Sequence, residues 1–258
     1  MPARPSGPGT VNGVAYDGLS PAALAARVRT PALVCLAEVG STLDELHGLA
    51  QQGAPAGTAV LADRQVQGRG RQGRAWQSPA GRGIWLAYLV RPPEMEVGVL
   101  ALRAGLAVAR AVEALGARPR IKWPNDLMLG DRKLAGLLCE ARWERGRPAW
   151  VALGIGINVN GPLPEEIGAV AATLDQAVPA GRVDLLEQLL PLLHGLSGNA
   201  RLEPEEREAL AERDWLAGRR VVEPIAGIAT GIDADGALLV ATDHGTRRVT
   251  SGTIRLRE

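Results

Sequence analysis

Residues 64 to 82 read RQVQGRGRQGRAWQSPAGR, five arginines and no acidic residue on a backbone interrupted by glycine. A run this cationic and this poor in apolar side chains cannot bury itself as a strand or helix. Its N–H groups and guanidinium forks are predicted to stay available to an anion, phosphate above all. Taken alone, the run reads equally well as a solvated surface loop or a patch for RNA. It lacks the GK[ST] ending of a P-loop, and its glycines do not follow G-x-G-x-x-G at a strand-to-helix turn. A second cluster, KWPNDLMLGDRKLAG at 122–136, sets Lys122, Asn125, Asp126, Asp131 and Lys133 around a proline-fixed turn and a tight hairpin. Such ammonium and carboxylate groups suit charge stabilisation and proton transfer, although a charged hairpin is more commonly just solvated. A third run, GIGINVN at 154–160, puts glycines inside an apolar strand, where they permit close approach of a backbone or a ligand.

The elements that must position these groups follow from hydrophobic period and turn chemistry. Residues 1 to 20 are rich in Pro and Gly and read as a flexible lead-in, followed by a short helix at 21–29 with Pro21 in its first turn. PALVCLAEV (31–39) reads as a buried strand, Ser41 as the N-cap of a helix that closes at Gly53, and TAVLADRQ (58–65) as a strand delivering the chain into the arginine loop. GIWLAYLV (83–90) is a strand, and residues 97–115 repeat apolar positions at helical spacing with arginines on the other face. The 122–136 cluster is expected to turn at Gly130-Asp131, residues 150–160 to form a core strand, and about 183–217 to be helical. Short strands with glycine turns follow, so a boundary is placed near Trp215 to Gly218. Three segments result: a lead-in and short helix at 1–30, a main domain at 31–215 and a small C-terminal β-barrel at 216–258. Mixed strands and helices without strict βαβ alternation predict an α+β core on a mixed, largely antiparallel sheet.

Composition narrows the function classes. With 258 residues, 46% of them hydrophobic, the chain can bury a full core. Lys plus Arg (29) nearly equals Asp plus Glu (28), so the arginine loop is a local concentration, and a global attraction to DNA or an anionic membrane is not implied. The loop also lacks the interleaved aromatics of a single-strand binder, which argues against a nucleic-acid module. The longest apolar stretch is interrupted by Arg103 and Arg110 and no signal-peptide core is present, which predicts a cytoplasmic protein without membrane spans. Cys35 and Cys139 read as buried reduced thiols, and His47, His194 and His244 are too scattered for a zinc site.

Taken together, GST at 40–42, GRGRQGR at 68–74 with Trp76 and Ser78 behind it, KWPND at 122–126, RKLAG at 132–136 and GIGINVN at 154–160 resemble the biotin protein ligases, in their order and approximate spacing. The form resembled is the one without an N-terminal DNA-binding domain, so no DNA partner is expected, and the C-terminal residues are compatible with the family's SH3-like barrel. The resemblance implies two steps: biotin and ATP give biotinyl-5′-AMP and pyrophosphate, and a lysine on a biotin carboxyl carrier domain of acetyl-CoA carboxylase then displaces AMP. Bringing two anions together requires cationic forks and a divalent metal, Mg2+, whose protein ligand the sequence does not identify.

Residue by residue, the resemblance gives Ser41, Thr42, Gln65 and Gly136 to the biotin pocket, with Leu43 contacting through its backbone where the family commonly carries a polar side chain. Arg69 and Arg71, with the N–H groups of Gly68 and Gly70, would clamp carboxylate and α-phosphate and close over the adenylate. Lys133 would stabilise the transition state, Lys122 and Asn158 would serve the nucleotide, and Asn125 and Asp126 the nucleotide, the metal or the incoming lysine. Trp76 would pack on ligand or only on the core. Pairing of two chains through the central sheet is compatible with the family, though the sequence carries no interface signature. The rival within the superfamily is a lipoate or octanoate ligase or transferase, against which the polar Ser41, Thr42 and Gln65 favour biotin.

Overall fold

The strand GIWLAYLV is apolar at every position that faces either way, so a sheet containing it must be covered on both faces. A computed structural model describes residues 11–30, 32–91, 96–196 and 198–257, which leaves the opening residues 1–10 of the expected lead-in and Pro31 outside it. Its main sheet comprises β1 (Val11–Gly13), β2 (Leu33–Val39), β3 (Ala59–Gln65), β4 (Gly83–Val90), β5 (Arg120–Lys122), β6 (Asp126–Leu129), β7 (Arg132–Glu144) and β8 (Arg147–Asn158). The strand order is β1-β2-β3-β4-β8-β7-β6-β5, parallel across β1-β2-β3 and antiparallel beyond, which is the mixed, largely antiparallel sheet expected. Residues 11–20 differ from the expected flexible lead-in: Val11–Gly13 is an edge strand, and Tyr16 is buried in the main core.

Ile84, Leu86 and Tyr88 of β4 enter the larger core beneath α3 (Val97–Ala114) and α5 (Arg182–His194), while Ala87 and Leu89 enter the smaller one beneath α2 (Thr42–Gln51). The expected helical stretch at 183–217 is two helices, α5 and α6 (Pro204–Arg213), separated where α5 is capped by Gly195 and α6 starts on Pro204. A short helix, α4 (Glu165–Gly168), and α1 (Pro21–Arg27) complete the set. Arg103 corrects the expectation that the arginines of α3 face outward. It is buried, and its fork grips Glu206 of α6 at 2.7 and 2.9 Å because the long side chain reaches over carbonyls of the segment between α5 and α6.

Beyond Trp215 the chain forms a separate antiparallel sheet of β9 (Arg220–Glu223), β10 (Gly227–Ile232), β11 (Leu238–Thr242), β12 (Gly245–Val249) and β13 (Arg255–Leu256), ordered β12-β11-β10-β9-β13. Val221, Ala229, Leu238 and Val240 join this sheet to the larger core, and Trp123 Nε1 donates to the Gly236 carbonyl at 2.9 Å. The C-terminal sheet is thereby fastened to the loop that leads into β6. Among the described residues no helix is long and apolar enough to cross a membrane.

Candidate active site

Alternation along β7 and β8 decides where the cleft lies. Ile155 and Ile157 turn into the larger core, so Gly154 and Gly156 share the opposite face with Gly136, which pairs with Gly156 across the ladder. Three positions without side chains on one face leave a floor onto which other groups can descend. A Cβ on Gly156 would fall 2.5 Å from the Trp76 indole nitrogen, and one on Gly154 would meet Leu43 at 3.1 Å. Side chains, rather than another backbone, make the close approach foreseen for these glycines. The resulting cleft has a volume of about 540 Å3. Its lining includes Ser41, Thr42, Leu43, Gln65, Arg69, Gly70, Arg71, Trp76, Lys122, Asn125, Asp126, Lys133, Gly136 and Asn158, every site residue expected from the sequence except Gly68.

At one end stands the N-terminus of α2. Ser41 occupies the N-cap position but makes no capping bond; Gln65 Oε1 instead accepts from the Thr42 N–H at 2.9 Å and from its hydroxyl at 3.0 Å. Gln65 also donates to Ser78 at 2.9 Å, so the last residue of β3 ties helix and loop together. Ser41 is buried in the cleft wall, its hydroxyl relieved of the cap.

The arginine loop folds back on itself. Gly70 N–H donates to the Arg74 carbonyl at 2.7 Å, Trp76 N–H to Gly68 at 2.8 Å and Gln65 N–H to Ser78 at 3.2 Å. The expectation of free loop amides is therefore corrected at Gly70, whose N–H is committed within the loop. Gly68 lies beneath it: a Cβ there would come within 2.5 Å of the Trp76 carbonyl oxygen, so packing accounts for the glycine. Arg71 donates to Asn125 Oδ1 at 3.0 Å, and Asn125 in turn donates to the Leu137 carbonyl at 2.7 Å.

Arg69 is not free either. Its Nε and Nη2 bind Glu140 at 2.8 and 3.0 Å, while Nη1 and Nη2 bind Asp44 at 2.9 and 2.7 Å. Those bonds, to Glu140 first and Asp44 second, hold the guanidinium further above its ordinary range. Trp150 Nε1 donates to His47 Nδ1 at 3.0 Å; because an indole N–H only donates, the His47 proton sits on Nε2, which donates to Glu140 at 3.2 Å. The His47 and Arg69 hydrogen bonds bring the Glu140 carboxyl down to about 2.

On the far wall the β5–β7 hairpin presents its charges. Lys133 Nζ stands 2.7 Å from Asp126 Oδ1, a charge contact without hydrogen-bond alignment, and 5.1 Å from the Trp76 ring centre. Lys122 Nζ lies 4.9 Å from the Trp215 ring centre, and burial holds its ammonium below the usual lysine range despite the nearby Asp126 charge. Arg219 stacks on the same ring at 3.7 Å and pairs with Asp131 at 2.8 Å. Asn158 reaches the Lys133 carbonyl at 3.4 Å. Gly252, Thr253 and Ile254, from the loop between β12 and β13, also line the cleft, and Thr253 donates to Gln72 at 3.2 Å.

Sequence reading missed Asp44, His47, Glu140, Trp215 and Thr253. A signal existed for Glu140, which follows Gly136 and Leu138 at strand period and so shares their face of the sheet; the others are brought in by tertiary structure alone.

Residues 38–158 match the Biotin/lipoate A/B protein ligase family, and residues 221–257 match the biotin protein ligase C-terminal domain. A bifunctional ligase/repressor BirA of Bacillus subtilis is 35% identical over 235 residues, covering 84% of this chain and 72% of that protein. A biotin–[acetyl-CoA-carboxylase] ligase of Mycobacterium tuberculosis is 34% identical over 240 residues, covering 85% of this chain and 86% of that protein. The solved biotin protein ligase of Aquifex aeolicus in complex with biotin and ATP superposes with a TM-score of 0.74 at 32% identity, covering 88% of this chain and 98% of that one. The shared fold extends through the C-terminal sheet, and the matched segments hold the glycine floor, the arginine loop and the lysine hairpin. The chain belongs to the biotin protein ligase family.

Proposed function

We infer that the protein activates biotin with ATP and transfers it to a lysine of a biotin carboxyl carrier domain of the acetyl-CoA carboxylase type. The observation that carries this reading is the convergence of Arg71, Lys122 and Lys133 over a glycine-floored cleft in a chain of this family. In the first step a biotin carboxylate oxygen bonds to the α-phosphorus of ATP as the bond to pyrophosphate breaks. Both reactants are anions, so fixed cations that hold the charge of the crowded phosphorus lower the barrier most. Lys133 is assigned that task, with Asp126 orienting its ammonium, and Arg71 and Lys122 are assigned the flanking phosphate oxygens. In the second step the neutral carrier amine attacks the acyl carbon, AMP leaves with the bonding electrons, and the amine gives up one proton to a nearby base, a role assigned to Asp126.

The pocket's polar groups support a ligand with hydrogen-bonding ends. Trp76 Nε1, over the glycine floor, is buried and, among the described residues, has no hydrogen-bond partner, while Ser41 and Thr42 line the same cleft. Among the described residues no three His, Cys, Asp or Glu side chains are placed to hold a metal. Asp126 as the inner carboxylate fits Mg2+ that arrives on the triphosphate and keeps most of its ligands from phosphate and water, where it supplies charge neutralisation. Pairing of two chains and action in the cytoplasm are part of the same proposal.

ATP–pyrophosphate exchange tests it, run with biotin, lipoate, octanoate or no acid, because exchange reports adenylation without an acceptor. Exchange with biotin alone supports the reading. Exchange only with lipoate or octanoate keeps the family and overturns the substrate, and silence with every acid overturns the activity.

A further inference from the structure

Arg69 heads the loop that sequence composition marks for anions, yet its guanidinium is already surrounded. One edge, Nε with Nη2, faces both oxygens of Glu140, and the other, Nη1 with Nη2, faces both oxygens of Asp44. Four of its five N–H groups are thereby committed, which leaves no free edge for the two-point grip an arginine uses on phosphate. Two carboxylates around one cation also reverse the local sign, so an approaching phosphate meets net repulsion there. The carboxylates come from α2 and β7, while the arginine comes from the loop, so the contact pins three separate elements at one point. Glu140 is itself fixed from behind, because the Trp150 N–H sets the His47 tautomer that donates to it.

We propose that Arg69 is a positioning residue rather than an anion ligand: together with Glu140 and Asp44 it forms a strut that sets the arginine loop against the cleft so that Arg71 faces the ligand. The strut explains a contrast within the loop. Arg71, two residues on, is bonded to the neutral amide of Asn125 and, among the described residues, to no carboxylate, so its charge remains available.

The test uses the full chain with Glu140→Gln, Arg69→Gln and the double variant. Hydrogen exchange of the loop amides at 68–76 is measured without ligand, and KM and kcat are measured in ATP–pyrophosphate exchange with biotin. A strut predicts that each single change speeds loop exchange, Arg69→Gln by about tenfold and at least as much as Glu140→Gln because it also releases Asp44, and that the double variant matches Arg69→Gln within about twofold, since the Glu140 contact is already gone. KM for ATP and kcat then shift in the same direction in the two single variants, with the larger shift in Arg69→Gln. The proposal is overturned if Glu140→Gln keeps wild-type loop exchange and kinetics while Arg69→Gln raises KM for ATP by about tenfold or more, the signature of a direct phosphate ligand. Asp44→Asn, at a more exposed carboxylate, carries the same expectation and the same reversal should Glu140→Gln fail to fold. Only the kinetic arm rests on the ligase reading; loop exchange decides the strut even if no acid supports turnover.

Discussion

The arginine loop and the lysine hairpin face each other across one cleft, and which of their charges are paired in space differs from what either sequence run suggests. The loop carries arginines without a single acid, yet Arg69 is held by two carboxylates supplied from α2 and β7. The hairpin sets Lys122, Arg132 and Lys133 beside Asp126 and Asp131 in sequence, yet Asp131 pairs with Arg219, and Lys122 has, among the described residues, no carboxylate at ion-pair distance. Lys133 keeps Asp126, and Lys122 sits over the face of Trp215. Charge available to a ligand is thus set by what folds next to a residue, and counting along the chain overstates the loop and understates the hairpin.

The largest effect that could break this comparison is at Lys133. Lys133→Gln removes the inner cation, and adenylation is expected to fall on the order of a hundredfold or more with an unchanged thermal transition. Near-normal pyrophosphate exchange would return the leading role to the loop. Next comes Gly156→Ala, whose methyl group must displace the Trp76 ring from the cleft floor. Overpacking of this kind typically costs about 1–3 kcal/mol, so the biotin affinity read by calorimetry is expected to weaken by roughly tenfold. Unchanged affinity would show that the ring moves freely. Arg71→Gly sharpens the contrast inside the loop: release of biotinyl-AMP should rise several-fold as the closing side chain is lost. Retention of the intermediate at the wild-type level would place closure elsewhere.

What was legible in the sequence was local. The β4 strand, the long helix α3 and the β6–β7 turn at Gly130, with φ of +62°, follow from apolar period and turn chemistry. The cleft glycines were legible too, since Gly154 and Gly156 two apart on a strand share one face. What stayed hidden depends on partners far along the chain. Arg103 reads as an outward arginine until Glu206, on another helix, folds over it. Ser41 reads as a side-chain cap, yet its hydroxyl makes no capping bond and the adjacent Thr42 N–H is held by Gln65 from β3. The two acids that hold Arg69 lie on either side of the loop in sequence, at 44 and 140, and neither belongs to a motif.

The smallest expected effect concerns the acid side of that strut. An ordinary glutamate titrates at 4.5, whereas the His47 and Arg69 hydrogen bonds bring Glu140 down to about 2 in the folded protein. A carboxyl depressed by folding binds fewer protons in the native state than in the unfolded chain. Its contribution to stability is therefore fully present above the unfolded value and drains away as pH falls toward the folded one. The stability difference between wild type and Glu140→Gln in urea unfolding should be constant from neutral pH to about 5, then shrink steadily between about 4.5 and 2. The half-exposed setting of the pair keeps the difference modest, and salt should reduce it only in part because the forks are hydrogen-bonded as well as charged. A difference that stays flat across that window would mean that Glu140 is no better paired in the folded protein than in the unfolded chain. The loop would then owe its place to its own hairpin bonds at Gly68, Gly70 and Gln65, and the charge asymmetry between loop and hairpin would lose its structural cause.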